Sequence, residues 1–563
     1  MSLLDLSDKI FLEIFDYLYL TEIIYSFHDI MCQHPRLHDL ITNQLRSVNI
    51  SKVDFRLMTK SQFVYACEQI KAQANYAERI QDLTLSNEYT FGQIRLFLSH
   101  ISFDQLTNIR KLTLIQPALD EYHILFPTRL AQLTHLTLEN PECDDDEKII
   151  LIDEMNDLVE LTIKSDYTVQ FRSQYNRVEK LFVSHVDIVD LIGLSTFFPN
   201  LNYLDITLFG NETELIEIQI PLLTVLKLRS YDVIHELCEK FLSNFPQLKQ
   251  LYYSNEIDCT KQDYIDGSTC RKFLKRLPLL ELFEIDVYLY YTEYTNICEL
   301  AASFQNEFYL SKNWNIVCES PPQTKDYHIY SVPLPEQTDF YITSDSLVSS
   351  AVLPIDDCYR NVQYLGLDMT LNWPVVTRFY PHINTLELTQ TNHSQMIPTV
   401  SILSYLNKSM FLSNLEKLIL PSPCHFDDTL LRYLLQQSAL NIKNLDISCH
   451  YLLHLIKTNI LQPPLPIHIL TLRDDYLPNK DRQIFIEFFR SSLHCLTLFL
   501  QNHASLSETI EMFLDQFQHL FSLDVLVHDP ISMLIHVQLC QMIQQRPHVG
   551  AELRPTNIRI WQK

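Results

Sequence analysis

Glycine is scarce in this sequence: its 563 residues include 6 glycines, and no two of these fall within one loop. Loops that cradle phosphates or dinucleotides need clustered glycines, because only glycine lets the backbone approach the ligand closely. Nucleotide-binding enzymes of these classes are therefore excluded. The motifs of serine hydrolases, zinc proteases and protein kinases are missing as well. We expect a protein that is not an enzyme, with no catalytic residues and no cofactor.

The chain also lacks metal-ligand motifs and long apolar runs. None of its 13 cysteines forms a Cys-x-x-Cys pair or stands at zinc-binding spacing from a histidine, so we expect no metal site. An odd number of scattered cysteines suits a reducing compartment. There is no signal-peptide pattern and no run of about eighteen apolar residues. These features predict a protein of the cytoplasm, the nucleus or both.

Basic residues are few relative to acidic ones. Lys and Arg number 43 against 69 Asp and Glu, which gives a formal net charge of −26 at pH 7. A surface this acidic repels nucleic-acid phosphates and anionic lipids. We therefore expect no nucleic-acid partner and no membrane partner, whereas a protein partner with a basic surface would be favoured.

The main pattern that is present is a repeated triplet of apolar residues at positions 1, 4 and 6, as in Ile80, Leu83 and Leu85. Each triplet predicts a short strand, and spacings of roughly 20 to 29 residues between triplets are typical of leucine-rich repeats. The segments between them have helical apolar spacing and often end in a proline step such as Phe198-Pro199, which stops a helix. The triplets begin at residues 80, 109, 133, 158, 178, 201, 223, 248 and 280, and again at 362, 383, 415, 442, 467, 493 and 520.

These triplets predict an α/β fold: a leucine-rich-repeat solenoid with a curved parallel sheet and outer helices, preceded by a small all-α domain. The stretch before the second block could hold degenerate repeats at Trp314–Cys318 and Tyr327–Val332, or an irregular insertion. A hydrolase or transferase on this fold, a third hypothesis, would need its site there. The predicted domains are 1–45 helical, 46–75 a helical link, 76–290 the first repeats, 291–360 the irregular or degenerate segment, and 361–563 the second repeats with a C-terminal cap.

The first forty residues have a different pattern. In residues 6–18, LSDKIFLEIFDYL, the side chains of Leu6, Ile10, Ile14 and Leu18 share one helical face. Two further apolar stretches follow as far as residue 41. Three short helices cannot bury much core alone, so this segment needs either the rest of the chain or a partner.

Over residues 3–42 the segment resembles the F-box motif, in the arrangement where an F-box precedes leucine-rich repeats. The resemblance implies a substrate-recognition subunit of an SCF-type E3 ubiquitin ligase. The F-box would bind a Skp-family adaptor of the cullin-based ligase, and the repeats would bind a protein substrate. The adaptor-binding residues that the resemblance implies are Leu6, Ser7, Ile10, Ile14, Phe15, Leu18, Ile23 and Ile24.

Differences from the motif keep other interpretations open. Ser7 replaces the usual Pro, Lys9 replaces the usual Glu, and no Trp follows Cys32. The helices could merely cap the first repeat, and the chain could be a leucine-rich-repeat scaffold or inhibitor with no ubiquitin role. The interval of 38 residues between Ile41 and the first triplet at Ile80 argues against a simple cap.

Side chains between the inward-facing residues of each strand point to the other face of the sheet. In the early repeats the central one is threonine, which suits a half-exposed strand. From the sixth repeat aromatic and charged residues become frequent there; they are either anchors for a partner or ordinary solvated strand residues. The candidate substrate-binding residues are Tyr203, Asp205, Lys227, Arg229, Tyr252, Asp286, Asp368 and Glu387.

Overall fold

The fold is known from a computed structural model. The described residues are 8, 10–11, 20–44, 50–56, 58, 60–73, 76–88, 92–118, 121, 130, 132–141, 149–151, 157–165, 169–171, 174–187, 191, 193–209, 220–231, 235–258, 265–290, 297–320, 326–333, 339–342, 346–349, 359–368, 379–389, 399–420, 428–438, 441–458, 460, 467–473, 479–490, 492–500, 506–517, 520, 522–527, 533–546, 549–553 and 557–562.

Strands and helices alternate along the described chain. The helices are α1 Leu20–Gln33, α2 Pro35–Gln44, α3 Lys60–Ala72, α4 Tyr76–Arg79, α5 Gln93–His100, α6 Leu194–Phe197, α7 His235–Leu242, α8 Gly267–Leu274, α9 Ile297–Phe304, α10 Glu307–Leu310, α11 Thr399–Ser409, α12 Asp428–Ser438, α13 Cys449–Lys457, α14 Asn479–Phe489, α15 Leu506–Gln516 and α16 Met533–Gln544. The strands are β1 Lys52–Asp54, β2 Asp82–Ser86, β3 Lys111–Ile115, β4 His135–Glu139, β5 Ile149–Leu151, β6 Glu160–Lys164, β7 Val169–Phe171, β8 Lys180–Asp187, β9 Tyr203–Phe209, β10 Val225–Tyr231, β11 Gln250–Asp258, β12 Leu282–Tyr290, β13 Ile316–Ser320, β14 Tyr327–Ser331, β15 Asp339–Ile342, β16 Ser346–Ser349, β17 Tyr364–Asp368, β18 Thr385–Thr389, β19 Lys417–Leu420, β20 Asn444–Ser448, β21 Ile469–Arg473, β22 Cys495–Leu500, β23 Ser522–Val527, β24 Val549–Leu553 and β25 Asn557–Gln562.

Each apolar triplet in the sequence begins two residues before a strand, so the predicted strands are confirmed. The first residue of the triplet closes a turn that leads into the strand. For example, the amide of Leu201 donates to the carbonyl of Phe198 at 3.2 Å, and the amide of Leu248 donates to the carbonyl of Phe245 at 3.1 Å. Pro199 occupies the second position of its turn, where its fixed φ is favourable.

The chain divides into two compact units, and the first comprises Met1–Glu256 and Lys272–Phe283. Its main sheet is parallel, with the strand order β1-β2-β3-β4-β6-β8-β9-β10-β11. The register pairs Leu83 with Leu112 and Leu112 with Leu136, and all three leucines are buried. Parallel pairing in register therefore stacks the apolar positions of successive strands into one continuous core. Strands β5 and β7 form a separate parallel pair.

The array begins one strand earlier than the sequence analysis expected. Strand β1 lies within residues 46–75, which were expected to be a helical link, and pairs in parallel with β2. Ile50, Val53 and Phe55 form a further apolar triplet and are fully buried. The triplet contains no leucine, which is why the leucine-rich pattern does not include it. Helix α1 packs against α2, α3 and β1, so α1 lies directly on the first strand.

Asparagine side chains tie neighbouring turns together along the array. Asn108 donates its side-chain amide to the carbonyl of Glu78 at 2.7 Å, and Asn200 donates to the carbonyl of Asn176 at 2.6 Å. Each asparagine directly precedes an apolar triplet, and each acceptor lies in the turn before the preceding strand. The same bond joins Asn414 to Pro381 and Asn441 to Ser413 in the second unit.

The second unit comprises Ile257–Arg271 and Glu284–Lys563. Its larger sheet runs parallel through β15-β17-β18-β19-β20-β21-β22-β23, and β25 and β24 close it with antiparallel pairing. A row of buried leucines crosses six strands in register: Leu365, Leu386, Leu418, Leu445, Leu470 and Leu496. The described chain is thus a mixed α/β protein with long parallel sheets, consistent with a solenoid-like fold.

Within the described part of residues 291–360, strands β13, β14 and β16 depart from the parallel arrangement, whereas β15 pairs in parallel with β17. Strands β13 and β14 overlap the two stretches suggested as degenerate repeats, but β14 pairs antiparallel with both β12 and β13. Six residues separate β13 from β14, whereas a parallel connection needs a dozen or more residues. The two strands are therefore not further units of the parallel array.

Within the described ranges, no helix is both long enough and apolar enough to cross a lipid bilayer.

Candidate protein-interaction surface

One row of central strand positions runs across the sheet of the first unit. Because the strands pair in register, equivalent residues of successive strands stand side by side on the face opposite the buried leucines. This arrangement confirms the alignment of the predicted threonines. The row runs Thr84, Thr113, Thr137, Thr162, Phe182, Asp205, Lys227 and Tyr252.

Five of the eight candidate substrate-binding residues lie together at one end of this row. They occupy β9, β10 and β11, where the register places Lys227 between Asp205 and Tyr252. A sixth residue belongs with them: the ring centroid of Phe182 on β8 lies 4.9 Å from that of Tyr203. We call this set the β8–β11 patch; its members are Phe182, Tyr203, Asp205, Lys227, Arg229 and Tyr252.

Phe182 was missed among the candidates although the sequence carried its signal. It stands between the inward-facing residues Leu181 and Val183, as Thr162 stands between its own two apolar neighbours. The strand pattern therefore assigns it to the same row, and only its residue type separates it from the threonines before it.

Of the three charged side chains in the patch, two form an ion pair with each other. Nη1 of Arg229 donates to Oδ1 of Asp205 at 2.6 Å, and the Asp205 side chain is only 13% exposed. Lys227 is half-buried and makes no hydrogen bond or ion pair with any residue that the structure describes. Burial, and secondarily the charge of Asp205, raises the pKa of Tyr203 to about 12. Its hydroxyl therefore keeps its proton at neutral pH.

Acidic side chains elsewhere on this face also have basic neighbours. Nζ of Lys164 lies 2.7 Å from Glu139, and Nζ of Lys180 lies 3.6 Å from Glu160. His135 lies beside Glu160, but burial is the larger influence and lowers the pKa of the imidazole. A partner that reaches these strands meets balanced charges, although the chain as a whole is strongly acidic.

The remaining three candidates lie in the second unit, on separate strands. Asp286 on β12 is 2.7 Å from Nε2 of His328 on β14, and the two side chains are 15% and 3% exposed. Asp286 is thus held in a largely buried pair. No sequence pattern indicated His328, because antiparallel pairing joins residues far apart in the chain. Asp368 ends β17 and is paired in register with Thr389 of β18.

Glu387, the last candidate, belongs to a polar group on the face of the second unit. It accepts a hydrogen bond from the Tyr364 hydroxyl. Nearby, Arg473 donates from Nε and Nη2 to the two carboxylate oxygens of Asp446 at 2.8 and 2.7 Å. The bond with Asp446 is the main cause that raises the pKa of Arg473, and the charge of Glu387 adds to it. Asp446 and Arg473 occupy the same kind of strand positions as the chosen candidates and could have been identified in the same way.

At the N-terminus, Ile10 and Phe11 point in different directions. Ile10 is 40% exposed, whereas Phe11 is fully buried with its ring centroid 6.3 Å from that of Phe27 on α1. Nε of Arg36 on α2 donates to the Asp8 carboxylate at 2.8 Å. These two contacts join the described residues of this stretch to α1 and α2, and Ile10 remains partly exposed to solvent.

The other predicted adaptor-binding residues fall into two groups. Ile23 and Ile24 on α1 are fully buried within the chain, so they pack the helical segment and are not exposed to a partner. Leu6, Ser7, Ile14, Phe15 and Leu18 lie outside the described residues.

Among the described residues, no three His, Cys, Asp or Glu side chains gather closely enough to hold a metal ion.

Comparison with known proteins identifies no relative: no family model matches the sequence, and no curated protein matches it.

Proposed function

We propose that this chain is the substrate-recognition subunit of an SCF-type ubiquitin ligase. Its N-terminal segment is an F-box that binds a Skp-family adaptor, and its strands are leucine-rich repeats that bind a protein substrate. The chain does no chemistry itself. It raises the effective concentration of the substrate beside the ubiquitin-loading enzyme of the cullin-based ligase, in the cytoplasm or the nucleus.

The observation that carries the adaptor-binding half is the exposure of Ile10. This side chain belongs to the apolar face from which the F-box resemblance was drawn, yet it is 40% exposed while its neighbour Phe11 is fully buried. A large apolar side chain held in solvent on an ordered turn suits a contact with another protein. The bond from Arg36 to Asp8 and the contact between Phe11 and Phe27 hold that turn in place.

Two features support the substrate-binding half. The β8–β11 patch gathers aromatic and charged side chains, the types enriched at the centres of interfaces. The parallel sheets with connecting helices provide a long row of neighbouring strand positions, the arrangement that repeat proteins use as a binding surface.

The proposal is tested by replacing Ile10 with Asp in the full chain and measuring how much Skp-family adaptor co-purifies with it. In the complex the adaptor would bury the Ile10 side chain, so a charge at this position should reduce the retained adaptor by at least about tenfold. The matched control is Ile484→Asp on α14, because Ile484 is 37% exposed and undergoes the same chemical change. Equal adaptor retention by both variants and by the native chain would contradict the proposal.

A second candidate function is a leucine-rich-repeat scaffold or inhibitor without a ubiquitin role. The observation that favours it is the packing of α1 on β1, with Ile23 and Ile24 buried inside the chain. A helical segment packed in this way acts as a cap on the first strand of the array. If the chain has this second function, the Ile10→Asp variant and the native chain should retain the same amount of adaptor.

A further inference from the structure

The β8–β11 patch carries one positive charge more than its own acidic residue neutralises. Asp205 is paired with Arg229 at 2.6 Å, and Lys227 has no ion-pair partner among the described residues. We propose that Lys227 binds the carboxylate of a Glu or Asp side chain in an extended segment of the partner protein. This inference names the chemistry of the substrate and rests on the function proposed above.

The position of Lys227 suits this role. It lies on the central row of the sheet face, between Asp205 on β9 and Tyr252 on β11, and neighbouring strands are about 4.8 Å apart. The Phe182–Tyr203 ring pair stands on one side of it and Tyr252 on the other. Aromatic neighbours exclude water from a docked segment, and an ion pair is stronger where water is excluded.

A basic segment does not fit the patch, even though the whole chain carries a charge of −26. The single carboxylate of the patch is only 13% exposed and already accepts a hydrogen bond from Arg229. An incoming lysine or arginine would find that carboxylate occupied and would face the positive charge of Lys227. The local pairing, not the net charge of the chain, therefore decides the partner's chemistry at this place.

A phosphorylated residue fits less well than a carboxylate. A phosphate ester carries about −1.5 to −2 charges at pH 7, and proteins usually bind it with clustered arginines. The one arginine of the patch is engaged with Asp205, which leaves the single charge of Lys227. One carboxylate matches that charge.

The test is a fluorescence-polarisation titration of the full chain with four synthetic peptide libraries. Each library has randomised flanks and one fixed central residue: Glu, Gln, phosphoserine or Lys. The Glu library should bind about tenfold more tightly than the Gln library, the ratio expected for one charge-assisted hydrogen bond. It should also bind more tightly than the phosphoserine and Lys libraries.

Three variants locate the effect. Lys227→Gln should make the Glu and Gln libraries equal, and Lys227→Glu should make the Lys library the tightest. Lys111→Glu is the matched control, because it makes the same charge change on the same face but five strand spacings away, roughly 24 Å. That distance exceeds the Debye length of about 8 Å at physiological salt, so the control should keep the preference for Glu.

Equal binding of the Glu and Gln libraries to the native chain would overturn the proposal. So would tighter binding of the phosphoserine or Lys library, or loss of the Glu preference in Lys111→Glu. The adaptor takes no part in these titrations, so their failure leaves adaptor binding unaffected. Likewise, failure of the adaptor assay leaves the carboxylate preference unaffected.

Discussion

Asn87 shows how one side chain fastens the ends of two neighbouring strands. It follows β2, is 2% exposed, and donates from its side-chain amide to the Glu121 carboxylate at 2.7 Å and to the Gln116 carbonyl at 3.0 Å. The side-chain oxygen Oδ1 of Asn87 accepts a hydrogen bond from the backbone amide of Ile94, at the start of α5, at 3.2 Å. The buried Glu121 carboxylate depends in part on this donor.

We expect Asn87→Ala to lower the free energy of unfolding by about 1–3 kcal/mol, because it removes a donor from a buried carboxylate. The control is Asn108→Ala, whose exposed amide makes one bond to the Glu78 carbonyl and should cost less than about 1 kcal/mol. Urea unfolding of both variants measures the difference. Equal losses would show that burial of the network around Asn87 does not matter.

Cysteine reactivity gives a second test at this scale. Burial, with a smaller effect from Glu68, raises the pKa of the Cys67 thiol to about 12, whereas Cys298 is exposed. Since the thiolate is the reactive form, iodoacetamide at pH 8 should label Cys298 in the native chain and Cys67 only after unfolding. Mass spectrometry of the digested protein reads both sites. Labelling of native Cys67 as fast as Cys298 would contradict the assignment of Cys67 to the core.

The same raised pKa predicts how stability depends on pH. An unfolded chain exposes the Cys67 thiol, which then loses its proton near pH 9, whereas the folded chain keeps that proton up to about pH 12. The unfolded state therefore binds fewer protons in this range, and Cys67 makes the folded chain progressively less stable as pH rises from 9 to 12. Below pH 9 its contribution is constant. A Cys67→Ala variant should show a smaller loss of stability across this interval in urea titrations.

Among the elements, α8 and α9 approach each other so closely that only glycine fits at their contact. A Cβ atom on Gly267 would lie 2.2 Å from the carbonyl oxygen of Ser303 on α9. The carbonyl of Gly267 also accepts a hydrogen bond from the Tyr309 hydroxyl at 2.6 Å. Backbone atoms face each other here, so no flexible side chain can move aside.

Gly267→Ala should therefore lower the free energy of unfolding by about 1–3 kcal/mol, the usual cost of overpacking. Ser268→Ala on the same helix is the control, because Ser268 is exposed and alanine favours helices. Thermal unfolding followed by circular dichroism compares them. The close approach of α8 and α9 would be refuted if the two variants melted at the same temperature.

The strands of the parallel arrays could be predicted because each needs two inward-facing apolar residues and a turn before them. That signal was reliable where leucine filled the positions and failed at Ile50, Val53 and Phe55, whose residue types vary more. It also failed at β15, where Gln337 stands at the first position of the triplet. Strand direction could not be predicted, since β12, which pairs antiparallel with β14, alternates buried and more exposed residues in the same way as the parallel strands. The reversal in residues 291–360 therefore became visible only in the structure.

The candidate surface could be predicted where in-register pairing of parallel strands places equivalent sequence positions side by side. Asp205, Lys227 and Tyr252 lie at the same position of successive triplets, and parallel pairing places them side by side. Asp286 is also at such a position, but the antiparallel neighbour β14 brings His328 against it, and no local pattern announces that contact. Burial likewise separates Ile10 from Ile24, which sequence spacing treated alike.

At the scale of the whole chain, net charge and local charge give different expectations about the partner. The formal charge of −26 favours approach by basic surfaces over long distances. Short-range recognition depends instead on which charged side chains remain without an ion-pair partner. On the β8–β11 patch, the charged side chain without such a partner among the described residues is Lys227. Under the proposal, basic regions of the partner would favour its approach to the chain, and an acidic side chain would bind at this patch.

The most direct test of the ligase-receptor proposal is native mass spectrometry of the full chain after co-expression with a Skp-family adaptor. The proposal predicts a species whose mass is the sum of one chain and one adaptor, and its loss in the Ile10→Asp variant. A single species with the mass of the chain alone would contradict the proposal and leave the repeat scaffold as the better description of the protein.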